Sequence, residues 1–320
     1  MLCSPKLTRL LGSPSMNACR LFRWIAGQSV SVVFGALFLS EIGLQAAVSD
    51  TSKPPKEVVT AGAILDGAQQ AYARGDRPQA LSLINKAIRA EPNNPRGYFA
   101  RGRFYSTAGD STKAAEDFTK SINLDPTQGD IYQLRGIEQF RLAHVEDSIQ
   151  DFNRYLTLNP DQIAHHWQRG IAYYYADRFA EGRQQFELHQ SVNPQDVENA
   201  AWHFFCVARL EGVEKARLSL MPIAVDSRIP MMAIHGLLGG HSTPADVLAA
   251  ASAGNPSPTT RQRQLFYANL YLGLYFEVMK EDKKSRECIA QAVQLATKED
   301  YMGIAAKVHA KIRKLSEKSK

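Results

Sequence analysis

A 34-residue period constrains this chain more than any other feature. Prolines stand at 92, 126, 160 and 194, one period apart, each after a polar residue: Glu91, Asp125, Asn159 and Asn193. Glycines at 102, 136 and 170 keep the same phase, with Ala68 in the equivalent place earlier, and Arg101, Arg135 and Arg169 precede them. Aromatics recur as Tyr98 and Tyr132 and as Phe118, Phe152 and Phe186; small residues recur as Ala80, Ala114, Ser148 and Gly182. A fixed period of this length means stacked structural units, none of which can bury its apolar faces alone.

Each unit carries two apolar stripes of helical spacing. A turn such as Gly75-Asp76 or Gly109-Asp110 separates them, and its Asp is placed to cap the second helix. The periodic Gly has no Cβ, so two helix backbones can approach closely. The terminal Pro cannot continue the second helix but suits the start of the next. The spacing predicts helical hairpins over 61–94, 95–128, 129–162 and 163–196. After 196 the phase degrades. Ala200 to Leu210 and Glu214 to Leu220 still read as a helix pair, Thr243-Pro244-Ala245-Asp246 reads as a capped helix start, and Gly254 to Pro258 reads as a linker. Leu272-Gly273, Phe276, Ser285, Ile289 and Ala292 restore the template over 266–299.

These positions resemble the tetratricopeptide repeat, an aromatic, Leu-Gly, Tyr, Ala, Phe, Ala, Pro pattern; residues 95–128 fit it best through Tyr98, Gly102, Tyr105, Ala114, Phe118 and Pro126. The resemblance implies an all-α solenoid of helical hairpins, a right-handed superhelix with a C-terminal capping helix. The expected organisation is 1–47 leader or anchor, 48–57 linker, 58–196 four repeats, 197–262 irregular helical repeats and insert, 263–299 a further repeat, and 300–320 a capping helix with a basic tail. Repeats, an irregular insert, one more repeat and a closing helix are together similar to the NlpI-type envelope lipoproteins over about 64–316. The most similar stretches are Arg169-Gly-Ile-Ala-Tyr-Tyr-Tyr175 and Tyr267 to Ala292. That likeness implies a non-catalytic adaptor of the cell envelope that docks peptidoglycan hydrolases or a protease. A membrane-tethered or organellar assembly factor for a larger complex is the alternative.

Residues 1–40 hold no acidic residue; basic residues come first, then the apolar run Val30 to Leu39, then small residues around Gln45 to Val48. This is the order of a secretory signal, so the expected location is the periplasm or envelope. A cleaved leader, an uncleaved anchor and an organellar transit peptide all stay open, as does Met16 as the true start. Cys19 precedes the apolar run and is not a lipidation cysteine by pattern. Apolar residues are 44% and charged residues 22% of the 320, which excludes a wholly disordered chain and a multi-span membrane protein. The net charge of +6 sits at the ends: residues 1–47 carry +3, residues 301–320 carry +5 and the body about −2. A near-neutral body gives no reason to expect nucleic acid as a partner.

In stacks of this kind the first helix of each hairpin lines a concave face. Its positions in the second, third and fourth units are Arg96, Phe99, Arg103, Ser106; Asp130, Gln133, Ile137, Phe140; and Ala164, Trp167, Ile171, Tyr174. A groove of Phe99, Arg103, Ile137, Phe140, Arg141, Trp167, Ile171 and Tyr174 would suit an amphipathic helix or an extended peptide, and aromatic and Arg side chains are common binding anchors. The same residues could instead pack on the chain's own C-terminal segment. Membrane association through the N-terminus and a homodimer through the terminal helix also stay open.

No enzyme chemistry is expected, and no cofactor or metal. His165 and His166 are adjacent and would point about 100° apart on a helix. His235 and His241 flank Gly239-Gly240, and no HExxH, GxSxG or phosphate loop occurs. The four cysteines, at 3, 19, 206 and 288, form neither a CxxC nor a disulfide framework.

Overall fold

The computed structural model describes residues 60–297 and 300–314, within one unit that runs Glu57–Lys320. The expectations for the leader over 1–47, the linker over 48–57 and the basic tail beyond 314 lie outside the described residues. Fifteen α-helices and no strands occur among those described. The first eight make four hairpins: α1 (Ala61–Ala73) with α2 (Arg77–Ala90), α3 (Pro95–Ala108) with α4 (Ser111–Leu124), α5 (Gly129–Arg141) with α6 (Val145–Leu158), and α7 (Trp167–Tyr175) with α8 (Phe179–Gln190). After these come α9 (Val197–Glu211) and α10 (Val213–Leu218), then α11 (Met231–Leu238) and α12 (Pro244–Ser252). A fifth hairpin, α13 (Pro258–Val278) with α14 (Asp282–Leu295), is followed by α15 (Tyr301–Ile312). The fold is a tetratricopeptide-type solenoid. No described helix is long and apolar enough to cross a membrane.

The sequence signals act where the period puts them. Asp76 and Asp110 accept from Gln79 N and Lys113 N, starting α2 and α4. Gly75 and Gly109 take φ of +82° and +84° in the turns before those caps, a region that costs a residue with a Cβ. At the close-packed glycines the reason is space. A Cβ on Gly102 would lie 2.8 Å from Phe118, on Gly136 2.7 Å from Phe152, on Gly170 2.7 Å from Phe186, and on Gly273 2.6 Å from Ile289. The fourth pair shows α13 and α14 repeating the crossing of the earlier hairpins, sixteen residues apart each time.

The Arg before each of the first three of these glycines bridges successive units. Arg101 donates to Asp117 in its own hairpin (2.8 Å) and to Asn85 in the preceding one (2.9 Å). Arg135 repeats this with Asp151 (2.8 Å) and Thr119 (3.0 Å), and Arg169 with Gln185 (3.0 Å) and Asn153 (2.9 Å). Asp117 and Asp151 are buried, so each carboxylate depends on its guanidinium. At the third step Gln185 replaces the carboxylate, and burial without a counter-ion lowers the pKa of Arg169.

Two elements depart from the template. A short 3-10 turn (Pro160–Gln162) delays α7 to Trp167, because the buried His166 caps that helix by accepting from Arg169 N at 3.2 Å. Ala164 is therefore in the turn, where its carbonyl oxygen meets His189 Nδ1 at 3.0 Å. Helix α13 begins at Pro258, five residues before the expected boundary at 263, with Ser257 as its cap.

The core changes character along the stack. Around α1 to α5 it is in two small clusters, one of Ala61, Ile64 and Ala87 and one around Phe118 and Ile131. From Phe140 onward a single cluster runs through α7, α9, α11 and α13 to Val308 on α15. It is continuous because α13 packs on α9, and because α15, after closing against α14, reaches back to α5 and α7.

Candidate functional site

The eight concave positions divide at α5. Phe99 and Arg103 on α3 remain partly exposed, with the Arg103 guanidinium 5.9 Å from the centroid of the Phe99 ring. Phe99 also leans on Phe118 at 6.3 Å, so its ring is anchored from below. Beyond them the face is covered. Phe140, Ile171 and Tyr174 are each 0% exposed, and Ile137 and Trp167 are partly buried against the main core. As groove positions for a partner, Phe140, Ile171 and Tyr174 are thus corrected: all three are core, Phe140 under Tyr301 of α15 and Tyr174 among Phe179, Trp202 and, through its hydroxyl, Glu277 of α13.

Tyr301, the first residue of α15, stacks on Phe140 with centroids 5.5 Å apart and planes 5° apart, and meets Trp167 edge-on at 5.1 Å. One turn on, the Tyr175 hydroxyl reaches the Ala305 carbonyl oxygen at 3.4 Å and His309 Nδ1 at 3.3 Å. Burial pushes the His309 imidazole down to about 4, so the ring is neutral at physiological pH. Lys311 Nζ donates to the Leu142 carbonyl at the end of α5, 2.8 Å away. Glu277 on α13 accepts from the Tyr174 hydroxyl at 2.8 Å and from Arg313 Nε at 2.6 Å. Helix α15 is therefore held along its whole length. Gly303 lets α15 close against the end of α14, where an added Cβ would lie 2.9 Å from the Thr297 carbonyl oxygen, and Ala305 and Ala306 are buried beside it.

Arg141 is also engaged within the protein. Its Nη1 lies 2.9 and 2.8 Å from the two oxygens of Glu138, and the Ser106 hydroxyl donates to the same carboxylate at 2.6 Å. Glu138 is 1% exposed, which makes this a buried strut between α3 and α5 rather than a rim charge. Glu138, Glu277, Tyr301, Lys311 and Arg313 were not singled out by sequence reasoning. The available signal was in the last helix: Tyr301-Met302, Ile304-Ala-Ala306 and Val308 spread apolar residues over more than one face, as expected of a helix packed on two sides.

The histidines have local structural roles. His166 Nε2 lies 2.6 Å from Gln133 Oε1, its Nδ1 caps α7, and burial pushes the ring down to about 3. His235 Nε2 is 2.9 Å from the Met221 carbonyl oxygen, and His165 is exposed. No cluster of three or more His, Cys, Asp or Glu side chains able to hold a metal ion occurs among the described residues. The Cys206 thiol is fully buried and its pKa is raised by burial, which makes it a poor nucleophile.

The Tetratricopeptide repeat family matches residues 65–129. No curated protein sequence matches the chain. Among solved structures, a tetratricopeptide repeat protein from Parabacteroides merdae ATCC 43184 is 17% identical with a TM-score of 0.52, covering 78% of this chain and 98% of that one. YrrB, described as a TPR protein with an unusual peptide-binding site, is 17% identical with a TM-score of 0.48, covering 58% of this chain and 89% of its own. A MamA protein is 17% identical with a TM-score of 0.47, covering 62% of this chain and 99% of its own. At such identities the likeness concerns fold. Residues 65–129 thus match the tetratricopeptide repeat family, and over 78% of its length the chain shares the fold of a solved tetratricopeptide repeat protein.

Proposed function

We propose that this protein is a non-catalytic scaffold of the cell envelope that binds a peptide or helix of another protein on the concave face of its first hairpins. Tetratricopeptide repeats generally mediate protein–protein interaction, and repeat stacks bind through concave faces of this kind. The observation that carries the reading is the division of that face. From Phe140 onward α15 and α13 occupy it, whereas Phe99, Arg103 and, one hairpin earlier, Leu65 are still partly exposed. An apolar ring with a guanidinium across it suits a partner segment carrying an apolar anchor beside an acidic residue. The test is a photo-crosslinking phenylalanine analogue at Phe99 in the full chain, with a control at Leu188 on α8. Capture at 99 but not at 188, abolished by Arg103→Glu, supports the reading; equal capture at both positions contradicts it.

The envelope assignment rests on the order of basic, apolar and small residues over 1–47. The proposed partners, peptidoglycan hydrolases or an envelope protease, rest on the likeness around 169–175 and 267–292. N-terminal sequencing of the mature protein tests the first point: a start at 46–48 supports export with cleavage, and a chain retaining Arg20 and Arg23 contradicts it.

A further inference from the structure

Tyr301 of α15 fills a slot made by two successive hairpins. Its ring stacks on Phe140, the last inward position of α5, at 5.5 Å and meets Trp167, an inward position of α7, edge-on at 5.1 Å. Two repeat periods earlier the same two positions are Tyr72 on α1 and Phe99 on α3. One period earlier they are Ser106 on α3 and Gln133 on α5. Along the stack this row therefore runs aromatic, polar, aromatic. The polar step is closed by the protein itself: Ser106 donates to Glu138 at 2.6 Å, and Gln133 is held by Gln168 at 3.0 Å and His166 at 2.6 Å. Tyr72 and Phe99 stay partly exposed.

Both rings of the earlier pair are fixed from behind. Tyr72 meets Phe104 edge-on at 6.2 Å and donates to Thr107 Oγ1 at 3.0 Å, and Phe99 leans on Phe118 at 6.3 Å. Phe140 is backed in the same way by Tyr175 at 5.8 Å. A ring held in place loses little freedom when another ring packs on it, which is what makes an aromatic residue an effective anchor site. The setting of the two pairs differs in polarity. Ile137, Ile171 and Tyr174, inward positions of α5 and α7, have as counterparts two periods earlier Gln69, Arg103 and Ser106. The aromatic pair is thus repeated while its apolar surround is not. An aromatic centre with a polar rim is the arrangement of a reversible interface, whereas the Tyr301 slot is built as core.

We propose that Tyr72 and Phe99 form a second slot of the same construction, which receives an aromatic side chain carried on a helix of another protein, with an acidic residue of that helix toward Arg103. The assignment rests on the open-groove reading above and names the chemistry of its anchor. Tyr301 on α15 shows the mode of entry, a ring delivered from a helix onto one hairpin's last inward position and the next hairpin's aromatic. The occupant is a different protein rather than a second copy, because in each copy Tyr301 is already enclosed by its own Phe140 and Trp167.

The probe is a synthetic peptide of residues 300–312 with Lys307→Glu and Lys311→Glu, so that its charge complements Arg96 and Arg103, titrated onto the full chain. It should bind about ten-fold more tightly than the same peptide with Tyr301→Ala. Phe99→Ala in the protein should erase that difference; the comparison of the two peptides on the native chain needs no variant protein. With photoreactive benzoylphenylalanine in place of Tyr301, the peptide should cross-link to α1 and α3. Equal affinity of the two peptides, or cross-links to α5 and α7 through exchange with the native α15, would overturn the proposal. Partner capture at Phe99 that survives such a result would leave the open groove standing without the aromatic slot, whereas loss of both would remove both.

Discussion

Gly136 offers the sharpest test of how the hairpins are built. It sits where α5 crosses α6, and an added Cβ would lie 2.7 Å from the Phe152 ring and 3.2 Å from Asp151 Cβ. Phe152 is 0% exposed and has no room to retreat, and Asp151 is fixed by Arg135. Replacing a helical Gly with Ala gains about 1 kcal/mol of helix propensity, while overpacking a filled core costs about 1–3 kcal/mol. Gly136→Ala should therefore come out between neutral and about 2 kcal/mol destabilised. Gly136→Leu, with three more carbons to place, should lose more than about 2 kcal/mol. For a domain of this size that is a fall of at least ~4–8 °C in melting temperature. Gly67 is the internal control: it is helical, and its nearest neighbour would be Leu83 at an ordinary 3.7 Å. Gly67→Ala should stabilise the protein by up to about 1 kcal/mol. Thermal melts of the three variants decide the matter. Gly136→Leu melting at or above the native temperature, or Gly67→Ala and Gly136→Leu shifting in the same direction, would refute the close-crossing argument.

Other outcomes follow from the buried polar groups. Arg135→Ala strands Asp151, whose side chain is only 7% exposed, and should cost about 3–5 kcal/mol in urea unfolding, whereas Arg135→Met with Asp151→Leu should cost far less. His166 is held neutral with its folded pKa at about 3, below the unfolded value of 6.5. Its contribution to stability is therefore complete above pH 6.5 and is lost toward pH 3, at up to roughly 1.4 kcal/mol per pH unit. His166→Asn, which retains a capping side chain, should flatten that part of the stability–pH curve, as measured by urea unfolding at pH 4, 5 and 7.

The hairpins were legible in sequence because everything that makes them is local. Each Gly–Phe contact spans sixteen residues, each Arg bridges positions sixteen residues either side, and the cap at Asp110 acts three residues away. The fate of the concave face was not legible, for the opposite reason. Tyr175 meets His309 across 134 residues and Lys311 meets Leu142 across 169. Whether such groups meet depends on the accumulated rotation of every intervening unit, which no single period encodes. The concave template thus identified the inward-facing positions of α5 and α7 but not their occupant. At α3, where no core cluster continues from α15, the inward-facing pair Phe99 and Arg103 stays at the surface.

The most direct test of the account compares two double variants by denaturant unfolding, with partner capture read alongside. Trp167→Ala with Tyr174→Ala removes side chains that pack against α15 and the main core, one of them fully buried, and should cost about 3–5 kcal/mol or more. Phe99→Ala with Arg103→Glu changes the open end, and should cost much less while abolishing capture at the first hairpins. The opposite pattern, with Trp167 and Tyr174 dispensable for stability but needed for capture, would show that the groove is open where α15 is placed and would contradict the account.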